Sequence, residues 1–281
     1  MSWHFTAESA ALPESARVFV AAESARNTGL LTLLDAPGTT RGWWTDEGGA
    51  VAGACLLVEG PGMLMLGVMP DDGARALPAE LPRALPGGGR EVREARGEAA
   101  SVEAFAAPFA AATGRTARTS LRLRLFRLGE LTELRPAPRG TARVAGPGDV
   151  PLLLTWLRAY AGDVGEDPDA DYSAQVEALV REGRLRLWEA DGGPVAMASF
   201  SRPAAGQSRV SLVYTPPGHR ARGYAGAVTA EVSRAARAAG AEQVLLFTDR
   251  ANPTSNALYQ RLGYRPIGDH TRVAFRAAGG D

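Results

Sequence analysis

The sequence contains no lysine: all 31 of its basic residues are arginine. That excludes Schiff-base chemistry on a lysine amine, and a phosphate loop of the Gly-Lys-Ser/Thr type. Cysteine occurs once, at Cys55, so no intrachain disulfide can form and a reducing cytoplasm is the expected home. Cys55 sits in the apolar run Val51-Ala-Gly-Ala-Cys-Leu-Leu-Val58, which suits a buried thiol rather than a nucleophile. The three histidines, His4, His219 and His270, are far apart. No Cys/His cluster of metal-site spacing results, and no metal is expected. Acidic residues also number 31, so the net charge shows none of the excess that nucleic acid or an anionic membrane selects for. No apolar run approaches the ~20 residues of a membrane-spanning helix. The stretch Met1-Ser-Trp-His-Phe-Thr-Ala-Glu8 lacks the basic-then-apolar layout of a signal peptide. A cytoplasmic protein without nucleic-acid or membrane partners is the expectation.

What is present is globular. Hydrophobic residues make up 45% and charged residues 22% of the 281, and that length fits one large domain or two ordinary ones. In the first half, helical spacing predicts a helix over 12–26 that stops at Asn27-Thr-Gly29, and a second beginning near Leu30. A hairpin follows (42–45 with 50–59), then a strand over Met63–Met69 and a helix over 74–85. A strand over 90–94, a helix over 101–113 and a strand over 119–128 complete this half. In that last strand Leu121, Leu123 and Leu125 alternate with Arg122 and Arg124, the pattern of one solvated face. Arg135-Pro-Ala-Pro-Arg-Gly140 has the Pro and Gly density of a linker.

The second half repeats the mixture. A strand over 141–145 leads through Gly146-Pro-Gly-Asp149, with Asp149 read as a helix N-cap, into a helix carrying Leu152, Leu153, Trp156 and Tyr160. The acidic loop 163–171 reads as a solvated, helix-capping segment. After a helix over 173–182 and a hairpin over 185–202 comes the most informative stretch, Val213-Tyr-Thr-Pro-Pro-Gly-His-Arg-Ala-Arg-Gly-Tyr-Ala-Gly226. A β-rich strand, Arg209–Tyr214, is ended by Pro216 and Pro217. Past Gly223, the apolar spacing of Ala225, Val228, Val232 and Ala235 marks an amphipathic helix that stops at Gly240. The start of such a helix offers free N–H groups and the positive end of its dipole to a phosphate. Arg220 and Arg222 add charge there, and Gly223 and Ala225 permit close approach.

The pattern Arg220-x-x-Gly223-x-Ala225 resembles the acyl-CoA pyrophosphate loop of the GCN5-related N-acetyltransferase (GNAT) superfamily. The downstream Asn252-Pro-Thr-Ser-Asn-Ala-Leu-Tyr259-Gln-Arg-Leu-Gly263-Tyr264 is similar to a second segment of that superfamily. The resemblance is close from about residue 142 onward and only architectural before residue 130. It implies a mixed α+β chain of two GNAT-like domains, each a mostly antiparallel sheet flanked by helices. The expected boundaries are 1–134 and 141–281, joined by 135–140. The C-terminal domain would hold a cofactor cleft between splayed strands. The first would be a degenerate copy, because its corresponding turn, Met69-Pro-Asp-Asp-Gly-Ala-Arg75, puts Asp71 and Asp72 where a pyrophosphate would lie.

The resemblance further implies acetyl-CoA as acyl donor and an amine as acceptor, with direct transfer in a ternary complex. Val213, Tyr214 and Thr215 would pair with the pantetheine arm, a backbone N–H near Val213 would polarise the carbonyl, and Ala221, Arg222, Gly223, Tyr224, Ala225 and Gly226 would hold the pyrophosphate beside Arg220. Tyr259 would be the general acid, and Asn252 and Ser255 would contact the cofactor arm. The glutamate that many relatives carry on the key strand is absent from Arg209-Val-Ser-Leu-Val-Tyr214, which leaves Glu189 and Asp249 as candidate bases. It also keeps a non-catalytic acyl-CoA sensor as the alternative. A monomer is expected, since two joined domains satisfy internally the contacts of a dimer.

Overall fold

The computed structural model of the chain describes residues 1–84 and 92–277. The ends of two expected elements, Leu85 and Arg90–Glu91, lie outside the described residues. The chain divides into two compact units that are not contiguous in sequence. One is formed by Met1–Leu125, Thr248–Asn252 and the C-terminal stretch from Pro266, the other by Phe126–Phe247 and Pro253–Arg265. This differs from the boundary expected at 135–140.

In the first unit, β1 (Ser2–Thr6), β2 (Thr39–Thr45), β3 (Val51–Val58), β4 (Met63–Leu66), β5 (Glu94–Glu98) and β12 (Tyr264–Ala277) are neighbours in that order. All adjacent pairs are antiparallel except β4 with β5. Helices α1 (Glu14–Ala22), α2 (Thr28–Leu33), α3 (Asp71–Ala84) and α4 (Ala99–Thr113) flank this sheet. Asn27, read from sequence as a helix stop, is fully buried. Its amide donates to the Val20 carbonyl (3.2 Å) and accepts from the Val68 N–H (3.0 Å). It satisfies two backbone groups that burial would otherwise leave costly.

β12 joins this unit because its pairing and its side chains both belong there. His270–Ala274 run antiparallel to Glu94–Glu98. Val273 and Phe275 enter the core beside Phe105 and Phe109, with the Phe109 and Phe275 ring centroids 4.6 Å apart. Burying those two side chains is worth about 1.5–3 kcal/mol each, which draws the C-terminal strand into the unit that begins the chain.

In the second unit, β7 (Thr141–Val144), β8 (Leu185–Ala190), β9 (Gly193–Phe200) and β10 (Gln207–Tyr214) form an antiparallel series, and β11 (Gln243–Asp249) lies parallel to β10. One face is covered by α7 (Tyr224–Ala238) and α8 (Pro253–Arg261), the other by α5 (Val150–Asp163) and α6 (Ser173–Arg181). The proline-rich stretch before β7 is packed rather than a loose tether. Gly129 and Thr132 donate backbone bonds to Gly263 and Leu262, and the Arg139 carbonyl accepts from the Trp188 indole at 2.9 Å. β6 (Arg115–Leu128) contributes residues to both units.

Among the described residues, no helix is long and apolar enough to cross a membrane, and no cluster of His, Cys, Asp and Glu is suited to a metal ion. Cys55 is buried, and burial pushes its thiol pKa far above the ordinary range, so it is not a nucleophile.

Candidate active site

The site is built on an irregular strand. In a regular strand, residues i and i+2 share a face. Along β10 they do not: Val210 lies in the core under α7, whereas Leu212 and Tyr214 lie in the core under α5. The switch is a bulge. Leu212 has φ +52°, and the register with β9 shifts between Ser211 and Tyr214. Its second consequence is on the opposite edge, where pairing with β11 covers Gln207–Val210 and extends no further. The edge of Ser211–Tyr214 that would face β11 thus has no strand partner among the described residues, and an extended ligand could add there as a strand does.

The turn after β10 is held from within. Arg220 donates from Nε to the Thr215 carbonyl (2.9 Å) and from its terminal nitrogen to Asp163 at the end of α5 (2.7 Å). Its guanidinium also lies 6.0 Å from the Tyr214 ring centroid. Arg220 is therefore a brace for the turn as much as a positive charge. Ala221 (φ +61°) and Gly223 (φ +84°) bring the chain round to α7, where Gly223 is the N-cap and supplies no side-chain cap. The first bond into the helix runs from Ala227 N–H to the Gly223 carbonyl, so the N–H groups of Tyr224, Ala225 and Gly226 lie ahead of intrahelical bonding. Arg222, half-exposed, stands 4.0 Å from Asp191. Two buried polar atoms in this turn, Thr215 Oγ1 and His219 Nδ1, have no hydrogen-bond partner.

The smallness of Gly226 has a packing cause. A Cβ there would lie 2.6 Å from Leu134 and 2.9 Å from Leu258. Gly263 is explained the same way. With φ +94°, a Cβ would lie 1.9 Å from the Glu130 carbonyl oxygen. Gly223, by contrast, has no tight neighbour, its nearest contact being Pro138 at 3.5 Å.

Tyr259 is buried on α8, edge-on to Tyr264 with centroids 6.0 Å apart. Burial, then the electrostatic influence of Tyr160, pushes its phenol above the ordinary value, so it stays a proton donor at neutral pH. Tyr264 serves the scaffold: its hydroxyl and that of Ser233 on α7 lie 2.7 Å apart. Ser255 opens α8, while Asn252 falls in the first compact unit by its contacts. The structure thus brings Val213 to Gly226 together on one strand, turn and helix start, and buries Tyr259 on α8.

The two candidate bases have other roles. Glu189 accepts from Arg143 at 2.6 Å, and Arg143 is also held by Asp149 at 2.6 and 2.8 Å. Asp149, expected to cap the helix with its side chain, instead spends that carboxylate on Arg143 and the Gly146 N–H (2.7 Å). Asp249 accepts from the Ala251 N–H at 2.9 Å and closes a turn. In the acidic loop, Asp167 and Asp171 accept from the Asp169 and Ser173 N–H groups, each at 2.9 Å, as capping residues do.

Three features escaped the sequence reading. Arg209 is half-buried on β10 with its guanidinium 5.8 Å from the Phe247 ring centroid. The hydroxyls of Ser211 and Ser199 lie 3.0 Å apart. Tyr160, pushed up to about 12 first by burial, then raised by Glu166 and lowered by Arg209, stands under the influence of both charges. The only signal in the sequence was the missing acid on β10.

The second unit thus presents a strand opened by a bulge, followed by a basic turn into an uncapped helix. Residues 193–273, from β9 into β12, match the FR47-like protein family. The chain is 26% identical over 126 residues to the mycothiol acetyltransferase of Beutenbergia cavernae, a match spanning 42% of each chain. An acetyltransferase of the GNAT family from Colwellia psychrerythraea superposes with a TM-score of 0.62 at 14% identity, over 98% of this chain and 99% of that one. A GCN5-related N-acetyltransferase from Kribbella flavida does so at 0.60 and 22% identity, over 96% and 98%. Over nearly its whole length the chain has the GNAT-like fold of these acetyltransferases.

Proposed function

We propose that the chain is an acetyl-CoA-dependent N-acetyltransferase whose active site lies in the second unit. The observation that carries this reading is the Leu212 bulge, which ends the β10–β11 pairing at Val210 directly ahead of the Arg220–Gly226 turn. The pantetheine arm pairs with the open edge of Val213–Thr215, and the pyrophosphate sits on the N–H groups of Ala221–Gly226 at the positive end of α7. Thr215 Oγ1 and His219 Nδ1, buried without partners in this turn, are supplied with partners by such a ligand. Ser255, in the first turn of α8, contacts the arm.

The acceptor first loses one proton from its ammonium form. The neutral nitrogen attacks the thioester carbonyl carbon, an N–C bond forms, and the oxygen is stabilised by a backbone N–H near Val213. The nitrogen gives up its second proton to solvent and the C–S bond breaks; the leaving sulfur takes a proton from the Tyr259 hydroxyl, and solvent reprotonates the phenolate. The products are the N-acetylated acceptor, CoA as its thiol, and one proton. The first unit is read as a degenerate copy without a cofactor site, and the protein as a cytoplasmic monomer.

Calorimetric titration with acetyl-CoA, with ATP as control and Gly223→Glu as the altered turn, tests the reading. One site per chain, lost in the variant, supports it; no binding to the folded protein defeats it. A second reading, a non-catalytic acyl-CoA sensor, is favoured by the absence of a carboxylate on β10. Acetyl-CoA binding with no turnover over a broad amine panel would select it.

A further inference from the structure

The turn ahead of α7 and the end of α5 meet through an ion pair, and each carries a charge that its own helix opposes. α7 begins at the positive end of its dipole, yet no acid stands in its first turn, and Arg220 and Arg222 precede its Gly223 cap. α5 ends at the negative end of its dipole, yet its last residue is Asp163 and no basic residue stands in its last turn. Each arrangement alone sets like charges together. The Arg220–Asp163 bond, 2.7 Å long, offsets both. Arg222 repeats the device more loosely, 4.0 Å from Asp191 in the turn between β8 and β9.

The bonds of Arg220 have different roles. Its Nε donates to the Thr215 carbonyl and ties one side of the turn to the other. Its terminal nitrogen is committed to the Asp163 carboxylate. The two side chains are 50% and 53% exposed, so water screens the pair and a stronger anion can reach it. A pyrophosphate on the N–H groups at the start of α7 is such an anion, because guanidinium makes strong charge-assisted bonds to phosphate oxygens. Once Arg220 turns to the phosphate, Asp163 is left at the negative end of α5 without its counter-charge. The Val164 N–H closes that end on the Tyr160 carbonyl at 3.0 Å, and the Glu166 N–H on the Ala161 carbonyl at 2.8 Å. These bonds are the ones such a change would loosen.

We propose that the Arg220–Asp163 pair is a latch between the cofactor turn and the α5–α6 loop, closed in the free protein and opened by acetyl-CoA. The assignment rests on the acetyltransferase reading and specifies the regulation of that same site. Asp163 is a positioning residue: it acts as the internal counter-ion of Arg220, lowers the affinity for the cofactor, and keeps the end of α5 closed. The two effects are reciprocal, since whatever loosens the end of α5 also frees Arg220 for phosphate.

The test is calorimetric titration with acetyl-CoA of the parent, Asp163→Asn, Arg220→Gln and the double variant, each checked for folding by its melting temperature. Asp163→Asn should bind acetyl-CoA about two- to five-fold more tightly, the range expected of an exposed ion pair. The gain should vanish in the Arg220→Gln background and shrink at high salt. Amide exchange supplies a readout that a merely structural role would not move. Adding acetyl-CoA should speed exchange at Val164 and Glu166 in the parent and leave it unchanged in Asp163→Asn. Unchanged or weaker binding by Asp163→Asn would overturn the proposal, as would a gain that persists without Arg220, or exchange at Val164 and Glu166 slowed by acetyl-CoA in the parent. A folded parent that binds no acetyl-CoA would take down the acetyltransferase reading and the latch together, whereas a parent that binds it no less tightly than Asp163→Asn would sink the latch alone.

Discussion

The turn from β4 into α3 and the turn from β10 into α7 both carry the chain from a strand with a parallel neighbour into a helix, yet they are built in opposite ways. β4 pairs with β5 along its whole length, Met63–Leu66 against Glu94–Gly97. Gly97 (φ +146°) is pressed so close that a Cβ would lie 1.9 Å from the Leu66 carbonyl oxygen. α3 then opens on Asp71 and Asp72, with the Asp72 carboxylate accepting the Gly73 N–H at 2.9 Å and Asp71 3.7 Å from Arg75. β10 instead bulges at Leu212 and drops its partner after four residues, and α7 opens on an uncapped glycine among arginines. The same element order therefore yields a closed, acid-capped turn in one unit and an open, basic one in the other. Two local choices separate them: the pairing length of one strand and the charge of one helix start.

The largest expected effect tests the closed turn. Gly97→Ala forces a methyl into the Leu66 carbonyl at a φ that suits only glycine, and should destabilise the protein by about 4 kcal/mol or more in denaturant titration. An effect under about 1 kcal/mol would show that the β4–β5 edge yields easily. Next, Gly223→Glu at the open turn adds left-handed strain of about 1–2 kcal/mol and a carboxylate beside the proposed pyrophosphate. A loss of acetyl-CoA affinity of about 100-fold or more, some 2.8 kcal/mol, is expected by calorimetry. Tyr259→Phe should lower kcat by about 100-fold with Kd for acetyl-CoA nearly unchanged; a shift in Kd alone would make the tyrosine a binding residue.

A pH prediction follows from the buried phenols of the second unit. Tyr160, Tyr259 and Tyr264 all have folded pKa values raised by burial from 10.0. The stability this confers is fully present below the unfolded value and is lost as pH rises from about 10 toward the folded values. The melting temperature should fall between pH 9 and pH 11, and less so in Tyr259→Phe. The smallest effect returns to the first unit. Asp72→Asn, at an exposed position, should change stability by under about 0.5 kcal/mol and leave one acetyl-CoA site per chain; a second site appearing would mean that charge alone had closed that turn.

Much of the second unit was legible because its signals are local. The Pro216-Pro217 stop, the basic turn, the apolar period of α7 and the Asn252–Gly263 segment each lie within a few turns of chain, and each formed where expected. Gly226 and Gly263 were visible as motif glycines, but their reasons, Leu134 and the Glu130 carbonyl, are contacts with chain about 90 to 130 residues away. The bulge was invisible, since Ser211-Leu-Val-Tyr214 reads as ordinary alternation until β9 and β11 set the register. β12 was missed for the same reason: its claim on the first unit lies in pairing with β5, some 170 residues earlier.

By itself, then, the sequence determined chemistry and local form. The lack of lysine, of paired cysteines and of a strand carboxylate, together with a basic turn between strand and helix, narrows the class because residue types and short spacings act over one or two turns of backbone. Only tertiary structure decided where β10 opens and which unit holds the C-terminal strand. Those outcomes depend on burial and on register between strands far apart in sequence, and a one-residue shift in register exchanges one face of a strand for the other.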